Sequence, residues 1–129
     1  MKDKAEVVHG WLRKAQSDLV ALNASLDAGS FDAACFHAQQ SAEKYLKAYL
    51  VASGIGFPFT HNLAKLVELC AAVDPSFKAL LPTVEPLTPY AVEMRYDAEF
   101  WPDGQVADDA RASAIVVRDF VLTRMPDMR

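Results

Sequence analysis

Phe31-Asp-Ala-Ala-Cys-Phe-His-Ala-Gln-Gln-Ser-Ala-Glu-Lys-Tyr-Leu-Lys-Ala-Tyr-Leu50 is the stretch that decides how this chain folds. Read at about 100° per residue, it is one long helix with two faces. Phe31, Ala34, Cys35, Ala38, Ala42, Tyr45 and Tyr49 collect on an apolar side. His37, Gln40, Lys44 and Lys47 collect on another, within about 80° of arc. A helix of this kind packs its apolar side and turns the other outward. The polar stripe, one imidazole, one amide and two ammonium groups, suits an anion or water.

Working outward, the chain reads as helix after helix, with no convincing strand. Before the central stretch, Lys4 to Ala28 carries Leu12, Ala15, Leu19, Leu22 and Leu26 at alternating spacings of three and four. That is the seam of a helix lying nearly parallel to a neighbour. Gly29 and Ser30 separate it from the second helix, which extends to about Ser53. Gly54 to Thr60 is a loop by its Gly and Pro content, yet Ile55, Phe57 and Phe59 make it apolar enough to fold back on the bundle. Thr60 to Asn62 supplies an N-cap for a helix from Leu63 to about Val73.

Asp74-Pro75 caps a short piece from Ser76 to Leu81, and Thr88-Pro89 starts a helix through Tyr90 to Tyr96. A loop with Phe100 and Trp101 follows, the aromatic pair being suited to covering a bundle end or a dimer seam. The last helix, about Gln105 to Arg124, bears Val106, Ala110, Ala114, Val117 and Val121 as its apolar stripe. Asp108-Asp109 is expected in its first turn, where acids suit the helix dipole. These elements define an all-α, up-and-down bundle of four to five helices, one domain over residues 1–129.

Composition narrows the function. A 52% hydrophobic content in 129 residues supports one sizeable core. Net charge is −4, so no global field draws in duplex DNA. No apolar run reaches the roughly 18 residues of a membrane span, and the N-terminus has no signal-peptide core. Cys35 and Cys70 lie apart in apolar settings, as reduced core thiols of a cytoplasmic protein do. Three scattered His residues and two separated Cys give no metal-ligand spacing, and no cofactor or metal is implied. No Gly-rich phosphate loop and no nucleophile–base motif is present.

Several short motifs occur in a fixed order. They are Ala15-Gln-Ser-Asp18-Leu19, Phe31-Asp-Ala-Ala34, Gln39-Gln-Ser-Ala-Glu43-Lys44-Tyr-Leu-Lys47-Ala48, Thr60-His61-Asn62-Leu63 and Arg95-Tyr96. Together, over about residues 15–96, they resemble the HEPN family (higher eukaryotes and prokaryotes nucleotide-binding). The resemblance implies a helical bundle, usually homodimeric, that binds a nucleotide or RNA. It also implies a separately encoded minimal nucleotidyltransferase as partner, with the small HEPN protein as substrate-binding or toxin/antitoxin-type half of the pair. Some members are metal-independent ribonucleases with Arg, four to six residues, then His. This chain has no His after Arg95, so it lacks that motif and no catalytic residue is assigned.

The candidate ligand-binding residues are His37, Gln40, Lys44, Lys47, His61, Arg95 and Tyr96. Lys44, Lys47 and Arg95 suit phosphate oxygens, and Tyr96 suits a base. Each has a plainer role beside it. The helix stripe can be a solvated face with a Glu43–Lys47 pair, and His61 a loop-fixing histidine. Arg95 can pair internally with Glu93, Asp97 or Glu99, and Tyr96 can be half-core. Two rival functions follow: a ribonuclease-like toxin built around Arg95 with Tyr96 or His61 handling protons, and a non-catalytic structural dimer.

Overall fold

In the computed structural model, which describes residues 3–126, every regular element is a helix, with no strand among the described residues. Helix α1 spans Lys4–Asp27, α2 Phe31–Ala52 and α3 Leu63–Ala71. A 3-10 turn, Pro75–Leu80, runs into α4, Leu81–Val84; α5 is Tyr90–Tyr96 and α6 Gly104–Arg124. The all-α bundle read from the sequence is therefore the fold.

Helix α2 is the axis. It packs against α1 along most of its length, against α6 on another flank, and against α3 and α5 as well. Its apolar side is buried, Phe31 partly so. The seam of α1 meets it: Ala15, Leu19 and Leu22 are buried, with Leu12 and Leu26 at the margins. From α6 come Ala107, Ala110, Ala114, Val117 and Val121. Val106 is 37% exposed, so the α6 stripe begins one residue later than its spacing indicated.

Both ends of the α1–α2 hairpin close in the same way. Gly29 and Gly54 take left-handed backbone (φ 75° and 74°) after α1 and α2. Ser30 N–H donates to the Ser25 carbonyl at 2.8 Å and Gly29 N–H to that of Leu26 at 3.1 Å. Ile55 N–H donates to Leu50 at 2.9 Å and Gly54 N–H to Val51 at 3.0 Å. These paired bonds satisfy carbonyls that the helix leaves over, and glycine adopts the required φ without a Cβ clash.

The N-caps depart from expectation in two places. Asn62 caps α3 through Lys65 N–H, and Asp74 caps the 3-10 turn through Ser76 N–H. Thr88, however, does not cap α5; its hydroxyl accepts from Leu63 N–H at 3.3 Å, tying α5 to α3. Helix α6 is capped by Asp103 through Val106 N–H at 2.9 Å. It begins at Gly104, which leaves Asp108 and Asp109 beyond its first turn.

The return loop after α2 behaves as its apolar content requires at two of three positions. Ile55 and Phe57 pack on the core, but Phe59 is 94% exposed with its ring edge-on to His61.

Candidate ligand-binding face

The polar stripe of α2 divides into two carboxylate-centred clusters. Glu43, its side chain only 4% exposed, holds the first. Its Oε2 accepts from Lys47 Nζ at 2.9 Å, and its Oε1 accepts from His61 Nδ1 at 2.8 Å and Gln39 Nε2 at 3.1 Å. A carboxylate accepts only, so Nδ1 of His61 carries the proton. Gln39 Nε2 also donates to the His61 carbonyl at 3.1 Å, and Gln40 donates to Gln39 Oε1 at 2.6 Å. Trp11 and Phe57 lie over the Lys47 ammonium, with ring centroids 5.5 and 5.4 Å away. The cluster thus fastens the return loop to α2 in a low-dielectric setting.

Burial is the largest influence on Glu43 and would raise its pKa. The hydrogen bonds from His61, Lys47 and Gln39 and the Lys47 charge together outweigh it, and the carboxyl lies below its ordinary value.

Asp18, on α1, holds the second cluster. His37 Nδ1 donates to its Oδ1 at 2.9 Å, and the Lys44 ammonium donates to its Oδ2. Here the His and Lys side chains keep 27% and 21% of their exposure. With Nδ1 occupied, the second ring nitrogen of His37 carries no proton in the neutral form and can accept a hydrogen bond. Ser41 donates to the Ala15 carbonyl at 3.1 Å close by, fixing the register of α1 on α2.

Arg95 and Tyr96 adjoin this second cluster through Phe36. The Arg95 guanidinium lies 5.3 Å from the Phe36 ring centroid and 5.4 Å from that of Tyr96. The Phe36 ring in turn stands edge-on to His37 at 5.3 Å. Arg95 donates to its own helix, to the Ala91 carbonyl at 3.1 Å, and forms no ion pair among the described residues. Tyr96 is 74% exposed rather than half-core.

Of the seven residues chosen from the sequence, four therefore share an accessible neighbourhood: His37, Lys44, Arg95 and Tyr96. Lys47 and His61 converge instead on Glu43, and Gln40 joins that cluster through Gln39. Lys47, 6% exposed, sits inside the protein. Asp18, Phe36 and Gln39 were not singled out beforehand. Gln39 and Asp18 stand within the short motifs, and their polarity on helices that must pack was the available signal. Phe36 carried none.

On both sides of Gly10, α1 and α2 leave an open groove of about 470 Å³ lined by Glu6, Val7, Gly10, Trp11, Lys14 and Lys44. It is continuous with the Asp18 cluster through Lys44.

The sequence model of the HEPN domain matches residues 8–124. Among solved structures, TT1696 from Thermus thermophilus is 26% identical, with a TM-score of 0.72 over 90% of this chain and 96% of that one. ST0689, an archaeal HEPN homologue, is 23% identical, with a TM-score of 0.74 over 98% of this chain and 100% of that one. At that identity the second likeness speaks for the fold. No curated protein matches the chain.

Proposed function

The chain belongs to the HEPN domain family, and on that premise we propose that it is a non-catalytic binding module for a nucleotide or single-stranded RNA. It acts as a homodimer and as the partner of a separately encoded nucleotidyltransferase, which carries the chemistry. Lys44, His37 and Arg95 hold phosphates, and Tyr96 meets a base.

The observation that supports this reading is the unpaired Arg95. Its guanidinium lies over the Phe36 and Tyr96 rings beside His37, donates from Nε and Nη2 to the Ala91 carbonyl, and has no carboxylate partner among the described residues. A guanidinium with no carboxylate partner keeps its positive charge, and its remaining N–H groups, for an anion. Alternating cations and rings are also how single strands are bound without base-edge readout. The buried Glu43 cluster takes the supporting role, with Lys47 and His61 positioning the loop beside α2.

The test is a binding titration with ATP, GTP, UTP, CTP and a short RNA, on wild type and Arg95→Ala. Saturable binding that Arg95→Ala weakens at least tenfold, at unchanged helical content, supports the module. No binding to any of them by well-folded protein leaves a structural dimer as the better account. Sedimentation of the same samples reads the oligomeric state, and co-purification with a co-expressed nucleotidyltransferase reads the partner.

A second reading is favoured by His37. Its Asp18-oriented imidazole, next to Phe36 and Arg95, pairs a proton-transfer group with an anion stabiliser on one face. For the ribonuclease-like alternative, His37 is thus a better proton carrier than His61, which is bound to Glu43. RNA cleavage lost in both His37→Ala and Arg95→Ala is the result that supports it.

A further inference from the structure

The groove between α1 and α2 contains a feature that packing does not explain. Gly10 lies in the interior of a 24-residue helix, where glycine is about 1 kcal/mol less favourable than alanine. Its φ is not positive, and a Cβ placed there would meet no atom within 4 Å. Nothing inside the chain requires the missing side chain. What its absence does is keep the groove open between Trp11 on one turn and Lys14 on the next.

The lining has an order along α1. Glu6 stands at one end, Trp11 in the middle and Lys14 at the other, about 12 Å of helix at 1.5 Å per residue. Lys14 is exposed and forms no ion pair among the described residues. Lys44 reaches the same end from α2; Asp18 orients it and takes one of its three donors. Two ammonium groups therefore flank one end of a largely apolar trough that has an indole on its wall.

We propose that this groove binds a nucleoside phosphate, with the base against Trp11, the phosphate between Lys14 and Lys44, and a ribose or amino group within reach of Glu6. The charge arrangement selects the ligand: anion at one end, hydrogen-bond donor at the other, flat ring between. The groove volume of about 470 Å³ lies in the usual range for small-molecule sites. The inference rests on the binding-module reading and adds a second location to it, which shares Lys44 with the Arg95–Tyr96 face and does not use Arg95. A free nucleotide and the 5′-phosphorylated end of an RNA present the same chemistry to it.

Trp101→Phe makes the test direct. The chain has two Trp residues, and Trp101 is 76% exposed, so the variant keeps its fold and leaves Trp11 as the sole indole. Its fluorescence is followed during titration with the four nucleoside triphosphates and with short RNAs bearing a 5′-phosphate or a 5′-hydroxyl. The expected result is a saturable change that Lys14→Ala weakens about tenfold, the loss of one charge-assisted contact. Gly10→Leu, which adds a helix-favouring side chain into open space, abolishes it with helical content unchanged. A preference for mononucleotide or for phosphorylated RNA identifies the source of the phosphate. Binding measured by calorimetry that Arg95→Ala removes, but that Trp11 does not sense and Lys14→Ala and Gly10→Leu leave intact, overturns the groove and spares the module. Absence of all binding overturns both.

Discussion

Lys44 and Lys47, three residues apart on α2, direct their ammonium groups to different carboxylates. Lys44 crosses to Asp18 of α1 near the surface, and Lys47 turns to Glu43 of its own helix inside the protein. Their substitution should separate accordingly. Lys47→Ala leaves Glu43 buried with only His61 and Gln39 as donors, and should destabilise by about 3 kcal/mol, as removal of one partner from a buried pair does. Lys44→Ala, at a partly exposed pair, should change stability by about 1 kcal/mol or less. Urea denaturation of the two variants reads the difference; equal losses would mean that the two pairs share one environment.

Acid should unfold the protein through Glu43. Its folded pKa lies below the ordinary value of 4.5, so its contribution is fully present above that pH and is lost as pH falls through the folded value. Melting temperature measured from pH 7 to pH 3 should therefore bend downward below about pH 4.5. Glu43→Gln should start lower and show a shallower acid limb. An identical limb in both proteins would place the acid sensitivity elsewhere.

The two thiols should be inert in the native state. Burial pushes Cys70 up to about 12, while burial and then the charges of Asp32 and Glu93 push Cys35 up to about 11. Cys70 also lies 3.8 Å from the Leu46 carbonyl, a weak S–H bond inside the core. Little thiolate exists at neutral pH, so a chromogenic disulfide reagent should register neither cysteine before denaturant is added. Rapid labelling of folded protein would contradict their placement in the core.

Phe77, from the 3-10 turn, is fully buried between Tyr49 and Phe120, with ring centroids 4.4 and 5.0 Å away. It links the middle of the chain to both α2 and α6. Phe77→Ala should cost about 3–5 kcal/mol and lower the melting temperature by about 12 °C or more. A loss under about 1 kcal/mol would indicate that the ring pocket collapses without a cavity.

Periodicity made most of the fold legible. The spacing of Leu12 through Leu26 gave the α1 seam, and the glycines after α1 and α2 gave both closures, because these signals are local. The split of the α2 stripe was not legible. Lys44 and Lys47 stand only about 60° apart on a helical projection, and the chain packed above each decides its fate. Lys44 meets Asp18 of α1, whereas Lys47 is covered by Trp11 of α1 and by the Phe57 loop together. Arg95 shows the same limit from the other side. Three acids stand within four residues of it in sequence, yet its guanidinium turns to Phe36, fifty-nine positions away, which no local pattern marks. The α1 groove leaves no mark in the sequence, because a glycine within a helix reads only as a weak helix former; that it opens a space is visible in three dimensions.

Helix α2 buries 14 of its 22 residues and touches four other helices. Its amide protons can meet solvent only when several of those neighbours leave at once. Their exchange with deuterium should therefore track global unfolding, while α5 and the loop after it exchange through smaller openings. The early-forming unit is then the α1–α2 hairpin, whose contacts are close in sequence, with α6 docking afterward across about fifty intervening residues. One helix thereby sets both the order of folding and the wall against which any ligand must settle, and His37 and Lys44 meet Asp18 as soon as the first hairpin has closed.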